Sequence, residues 1–160
     1  MKEGVVGFSA EHCSVKRALD IVGEKWTFLV LREAFYGARR FEQFHERVGC
    51  ARNILSDRLA TLVGHEVLER VPYREPGQRE RHEYRLTEKG RDLLTALVAL
   101  MHWGDRWEGD EAGPTVEVLH RACGSPVEVV LRCSHDHEPL TAVDTVPRAG
   151  RGARQVPVSR

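Results

Sequence analysis

The sequence predicts a mainly helical α+β chain: four helices, a two-stranded hairpin, a long fifth helix and a small β-rich C-terminal extension. Three observations carry that prediction. Between Ser14 and Leu68 apolar residues recur at spacings of three and four, the period of helices with one buried face. The period then changes to strand-like runs on either side of Glu75-Pro76-Gly77-Gln78. After Leu86 the helical period returns and is sustained to Trp107.

Composition sets the bounds. A chain of 160 residues suits one domain of ordinary size, or a domain of about a hundred residues with a small appendage. Basic and acidic residues balance at 24 each, so any nucleic-acid surface has to be local rather than global. Arginine greatly outnumbers lysine, which favours bidentate phosphate contacts but also follows from genome composition. The N-terminus lacks a basic-then-apolar signal segment, and no apolar run approaches the ~20 residues that cross a bilayer. A cytoplasmic protein with no membrane partner is expected. Cys13, Cys50, Cys123 and Cys133 are too few and too scattered for a secreted disulfide scaffold, so thiol chemistry or metal ligation is the better question.

Met1 to Ala10 reads as a loose arm without a sustained period. Ser14 can cap a first helix whose apolar positions Val15, Ala18, Leu19 and Val22 share a face, with Gly23 closing it. Trp26 to Tyr36 is apolar nearly all round, which places it at the centre of a domain, with Trp26, Leu29, Val30 and Phe35 touching several neighbours. Gly37 ends it. Phe41, Phe44 and Val48 mark a short third helix, preceded by the adjacent pair Arg39 and Arg40.

The fourth helix lies within Gly49 to Leu68. Ile54, Leu55, Leu59, Leu62 and Val63 give it an apolar stripe, while Arg52, Asn53, Ser56, Asp57 and Arg58 gather toward its N-terminal end. Arginine and asparagine can read guanine and adenine edges in a major groove, and a recognition helix reads with that end. The same residues equally suit an ordinary solvated face, so the neighbouring segments decide. A third helix, a tight break at Gly49 and this helix make a helix-turn-helix.

Leu68 to Arg74 and Arg81 to Leu86 are the strand-like runs, and Pro76 followed by Gly77 suits the centre of a type II turn. Pro72 points to an edge strand. A hairpin directly after a helix-turn-helix is a wing. Its tip carries Arg74, Gln78, Arg79, Arg81 and His82, interleaved with Glu75, Glu80 and Glu83. Unpaired from those acids the arginines would reach phosphates or a minor groove; paired with them they are a solvated face.

Thr87 is the expected N-cap of the long helix, with Glu88 in its first turn. Leu93, Leu97, Leu100, Gly104 and Trp107 form one stripe, and Leu94, Val98 and Met101 a second. One small core cannot use both, so a homodimer is expected through this helix, with Leu93, Leu97, Leu100, Met101, Trp103 and Trp107 as the contact set. A single broad face packed within one chain is the alternative.

Residues 109–114 read as a linker. Val116 to Leu119, Val127 to Leu131 and Thr141 to Val146 look like three short strands. Between them His120, Cys123, Cys133, His135 and His137 supply enough nitrogen and sulfur donors for a four-coordinate zinc site. A hairpin module with two free thiols is the other reading. Residues 148–160 belong to a basic Arg-, Gly- and Pro-rich tail expected to be disordered. The expected divisions are therefore 1–109, 110–147 and 148–160. Cys13 is the redox candidate, because it stands at the start of the first helix among His12, Lys16 and Arg17, where a thiolate is favoured. A packed, unreactive residue is its alternative.

Several ordered motifs add a resemblance. They are Cys13-Ser14-Val15, Leu19-Asp20-Ile21-Val22-Gly23-Glu24-Lys25-Trp26, Arg40-Phe41, Asn53-Ile54-Leu55-Ser56-Asp57-Arg58-Leu59 and Tyr84-Arg85-Leu86-Thr87-Glu88-Lys89-Gly90. From Cys13 to about Trp107 the chain resembles the HxlR family of winged helix-turn-helix bacterial transcriptional regulators. The resemblance implies a dimer formed by the N-terminal arm and terminal helices, on an inverted-repeat operator, with each recognition helix in a major groove. Family members commonly have proline where Ser14 stands, and some use the preceding cysteine to sense oxidants or electrophiles. Cys50 occupies a position that the family pattern fills with an apolar residue, so a buried small hydrophobe is expected there. The extension is similar to one in which His-x-x-Cys-Gly is followed by Cys-x-x-Cys-Gly; here Asp136 replaces the last cysteine.

The sequence thus reads as a dimeric, sequence-specific regulator of double-stranded DNA, answering to a small molecule or an oxidant. It lacks a Gly-rich phosphate loop, a nucleophile elbow and a metalloprotease helix, and no enzyme is expected. The competing reading is a metal- or thiol-based sensor that uses the winged domain for dimerisation and protein contact.

Overall fold

The computed structural model describes residues 12–137 and 139–153. The expected arm at Met1 to Ala10 and the last residues of the tail lie outside the described residues. The described chain divides into two compact units, residues 12–92 with 148–153, and residues 93–147.

The first unit is organised on its second helix. Helix α1 (Ser14–Val22) is followed by α2 (Lys25–Phe35), α3 (Phe41–Val48) and α4 (Arg52–Gly64), and α2 packs against the other three. Glu24 caps α2 by accepting from the backbone N–H groups of Trp26 and Thr27 at 3.0 and 3.3 Å. Buried Val30, Leu31 and Ala34 of α2 meet Phe44 and Val48 of α3 and Leu55, Leu59 and Leu62 of α4 in the core. Trp26, Leu29 and Phe35, expected at the centre, are only half-buried. Cys50 is buried, as expected of a small apolar residue.

Helix α1 departs from expectation twice. Its N-cap is Cys13, not Ser14, whose hydroxyl instead accepts from Arg17 Nη2 at 3.2 Å. Its apolar face is also largely open, with Val15 66% and Leu19 56% exposed and only Val22 buried. Periodicity tells which residues share a face; it does not tell what covers that face.

Strands β1 (Leu68–Tyr73) and β2 (Arg81–Leu86) pair antiparallel in the register Leu68 to Leu86 and Tyr73 to Arg81. The Gln78 N–H donates to the Glu75 carbonyl at 3.0 Å and Gly77 has a φ of 77°, the conformation a type II turn demands at its third position. The single long helix expected from Thr87 is two. Helix α5 (Glu88–Arg91) ends before α6 (Leu94–Trp107), because ψ angles of −21° and −9° at Asp92 and Leu93 fall short of the helical value near −42°.

In the second unit Leu97 and Val98 of α6 are buried, whereas Leu100, Trp103 and Trp107 are 53%, 55% and 62% exposed. Among the described residues nothing after Val98 is buried. Among the described residues of the extension the three expected strands accordingly do not form. The extension has two isolated antiparallel bridges, Leu119 with Pro126 and Leu131 with Leu140, and a 3-10 turn at Ala142–Asp144 inside the expected third strand. A ladder with no buried face to pack against has little to extend it.

Candidate nucleic-acid interface

The helix-turn-helix is α3, the left-handed Gly49 with φ 73°, and α4. Since Leu55, Leu59 and Leu62 hold the buried face of α4, the positions between them are turned outward, and Arg52, Asn53, Ser56 and Asp57 are all exposed. Burial of one leucine stripe is therefore what aims the polar N-terminal half of α4 at solvent. The wing is tied to α3 by the Tyr84 N–H, which donates to the Arg39 carbonyl at 2.7 Å, and by an edge contact between the Tyr84 and Phe44 rings. Between the N-terminus of α3 and the wing opens a cleft of about 590 Å³, with Arg40, Arg70 and Arg81 set around Phe41, Tyr73 and Tyr84.

Of the eleven residues expected to contact DNA, nine are exposed and two, Arg39 and Arg58, are half-buried. Asn53, Ser56, Asp57, Arg79 and Arg81 are exposed, and neither wing arginine has an ion-pair partner among the described residues. Arg40, with Arg85 at 3.2 Å from Glu83, takes up acids of the wing. Arg40 Nη1 lies 2.9 Å from Glu75 and its Nε 3.6 Å from Glu83, while the guanidinium rests over the Tyr73 ring, so one arginine at the base of the wing engages two of its acids. Arg74 Nε donates to the Gln78 carbonyl at 3.3 Å and steadies the turn.

Arg39 and Arg58 do not present themselves to a ligand. Arg39 Nη1 donates to the carbonyls of Ala34 and Ala38, closing the C-terminal end of α2, and Arg58 is only 28% exposed with its Nε 3.3 Å from Glu24. In the free chain both side chains are thus engaged with the ends of α2. Arg52 is not free either. It makes a two-pronged pair with Glu42, an acid the sequence reading passed over although it stands alone beside Arg39 and Arg40 at the start of α3. The hydrogen bonds from Arg52 hold the Glu42 carboxyl below its ordinary range.

The metal-ligand candidates form two separate pairs. His120 Nδ1 is 3.1 Å from Cys123 Sγ, and His137 Nδ1 is 3.3 Å from Cys133 Sγ, with the His135 N–H also directed at the Cys133 sulfur. Among the described residues no three donors converge on a point, so the expected zinc site is not assembled by this arrangement. The first pair has chemistry of its own. Hydrogen bonds from the side chain and backbone of Ser125, and then from His120, bring the exposed Cys123 thiol down to about 7. At Cys13 the cations expected to help are turned elsewhere, Lys16 to Asp20 at 2.8 Å and Arg17 to Ser14.

Comparison with known proteins gives a consistent picture. The family model for the HxlR-like helix-turn-helix matches residues 21–112. An uncharacterised HTH-type transcriptional regulator, Rv3095 of Mycobacterium tuberculosis, is 48% identical over 139 residues, covering 87% of this chain and 87% of the relative. A second, sll1512 of a Synechocystis strain, is 36% identical over 62% of this chain and 73% of its own length. Among solved structures, PA1607, a candidate transcription factor, superposes with a TM-score of 0.76 at 39% identity, over 89% of this chain and 96% of that one. The reduced form of the redox regulator HypR superposes with a TM-score of 0.53 at 26% identity, over 59% of this chain and 92% of its own.

Proposed function

Because this chain belongs to the HxlR-like helix-turn-helix family and is a transcriptional regulator of that type, we propose that it binds an inverted-repeat operator as a homodimer. In that reading the N-terminal end of α4 enters the major groove and the wing lies on the adjacent backbone. The observation that carries it is the exposed row Arg52, Asn53, Ser56 and Asp57 above the buried Leu55, Leu59 and Leu62, with Arg79 and Arg81 exposed on the wing. The dimer runs through α6, whose Leu100, Trp103 and Trp107 share a face that the described residues leave exposed. No described helix is long and apolar enough to cross a membrane, which suits a cytoplasmic regulator. The reading assigns the protein no chemical reaction.

The test is selection of a duplex from a randomised library by the wild-type protein, followed by titration of variants on the selected and on random DNA. Asn53→Ala is expected to lose roughly 10- to 100-fold on the selected duplex and little on random DNA. Arg79→Ala is expected to weaken both alike and to lower the salt slope by about 0.9, the signature of one phosphate contact. Equal losses on both duplexes for Asn53→Ala would remove α4 from the groove.

The same reading includes a thiol response, and HypR, similar to this chain, is a redox regulator by name. Here the sensing thiol is Cys123. With its thiol brought down to about 7 it carries more thiolate at neutral pH than an ordinary cysteine, and its reactivity climbs as pH rises through that range. Titrating the DNA complex with a quinone, which adds to a single thiolate to give an aryl thioether, is expected to release wild type and Cys13→Ser alike and to spare Cys123→Ser. Protection by Cys13→Ser alone would return the switch to the first helix.

A further inference from the structure

We propose that Glu42 is a positioning residue for base recognition, holding Arg52 so that one edge of its guanidinium is presented to a guanine and kept away from phosphates. This rests on the reading of α4 as the recognition helix. Glu42 is the second residue of α3 and Arg52 the first of α4, so the turn at Gly49 brings two helix N-termini together and their side chains meet. Arg52 Nη1 donates to one carboxylate oxygen at 2.8 Å and Nη2 to the other at 2.5 Å, a fork on a fork. The guanidinium carbon also lies over the Phe41 ring, 4.9 Å from its centroid, a second contact that restrains the side chain.

The side chains of the pair are 57% and 61% exposed, so its contribution to stability is small and stability does not account for two hydrogen bonds plus a stacked ring. Recognition does. A guanidinium has five N–H donors. Glu42 engages its far end, which leaves Nε–H and the outer Nη2–H as a parallel pair, the fork that matches guanine O6 and N7. An arginine on a flexible stem would otherwise turn to the nearest phosphate, which carries no sequence information. A carboxylate beside it makes that turn costly, because Glu42 would then face the phosphates without its hydrogen-bonded partner, leaving only the weaker influence of His45 and Arg81. As a neutral couple, Glu42 and Arg52 add discrimination between bases without adding a counterion-releasing contact.

The experiment uses full-length protein and a duplex selected from a random library by wild type, with each guanine near the recognition helix replaced in turn. Wild type, Glu42→Gln, Arg52→Ala and the double variant are titrated across a salt series. Arg52→Ala is expected to lose about 10- to 100-fold of preference at one guanine position. Glu42→Gln should lose preference at that same position, bind random DNA more tightly than wild type, and steepen the random-DNA salt slope by up to about 0.9 as the freed arginine takes a phosphate. In the Arg52→Ala background Glu42→Gln should change the preference no further. If Glu42→Gln keeps the guanine preference while Arg52→Ala loses it, or if its effect persists without Arg52, the positioning role is overturned and the recognition helix stands. If Arg52→Ala itself keeps every base preference, the reading of α4 at that residue has failed, and the proposal with it. Circular dichroism melts of the variants check that the changes are not losses of fold.

Discussion

Replacing Leu100 with glutamate is expected to yield a folded monomer that has lost nearly all affinity for an operator with two half-sites. The proposed dimer joins two recognition helices that read half-sites about one helical turn, ~34 Å, apart, and the second contact gains its strength from being intramolecular. Breaking the link forfeits that avidity, on the order of 10²- to 10⁴-fold. The structure selects the residue. Leu97 and Leu100 stand one turn apart on α6, yet Leu97 is 4% exposed and Leu100 53%. A charge at Leu97 is therefore expected to harm folding, whereas a charge at Leu100 meets water in the monomer and only a partner copy objects to it. Sedimentation at micromolar concentration, a thermal melt and operator titration decide the matter together. A wild-type protein that sediments as a monomer where it binds its operator tightly would end the dimer proposal.

The second large effect concerns Gly90. Alanine is the better helix former by about 1 kcal/mol in an open helix, so Gly90→Ala on α5 would ordinarily stabilise. Here a Cβ would stand 2.1 Å from the Val67 carbonyl oxygen and 3.1 Å from Leu86 Cδ2. The obstacle is backbone, and backbone cannot swing aside. The substitution is expected to destabilise the protein by on the order of 3 kcal/mol, with a thermal midpoint lowered by roughly 10 °C or more. A midpoint equal to or above wild type would mean that α5 does not dock against Val67 as described.

That docking shows where sequence reading reached its limit. Thr87-Glu88-Lys89-Gly90 reads as a helix start, and Thr87 does cap α5 by accepting from the Gly90 N–H at 3.0 Å. Yet the same hydroxyl donates to the Glu66 carbonyl at 2.6 Å, Lys89 Nζ donates to the His65 carbonyl at 2.8 Å, and Gly90 makes room for that of Val67. The motif closes the end of α4 from more than twenty residues away. Local pattern could find the cap, since a cap is made by neighbours in sequence, but not the three carbonyls it serves.

The same division runs through the candidate site. Helix existence, the wing turn and the outward row on α4 were legible, because a leucine at every third or fourth position and a Pro-Gly turn act within one element. The direction of each arginine was not. Arg39, Arg40, Arg52 and Arg58 look alike in sequence, but Arg39 closes α2, Arg40 draws acids from the wing, Arg58 turns to Glu24 and Arg52 is clasped by Glu42. A long charged side chain has many rotamers of similar energy, and the choice falls to whichever carbonyl or carboxylate the fold brings within reach. The extension makes the complementary point: its residues alternate as strands do, but with nothing buried after Val98 among the described residues the alternation has no core to face, and only isolated bridges form. The sequence by itself determined the period of each element and the chemistry each could offer. Only the tertiary structure decided which faces are covered and where each charge turns, because burial and ion pairing depend on partners distant in the chain.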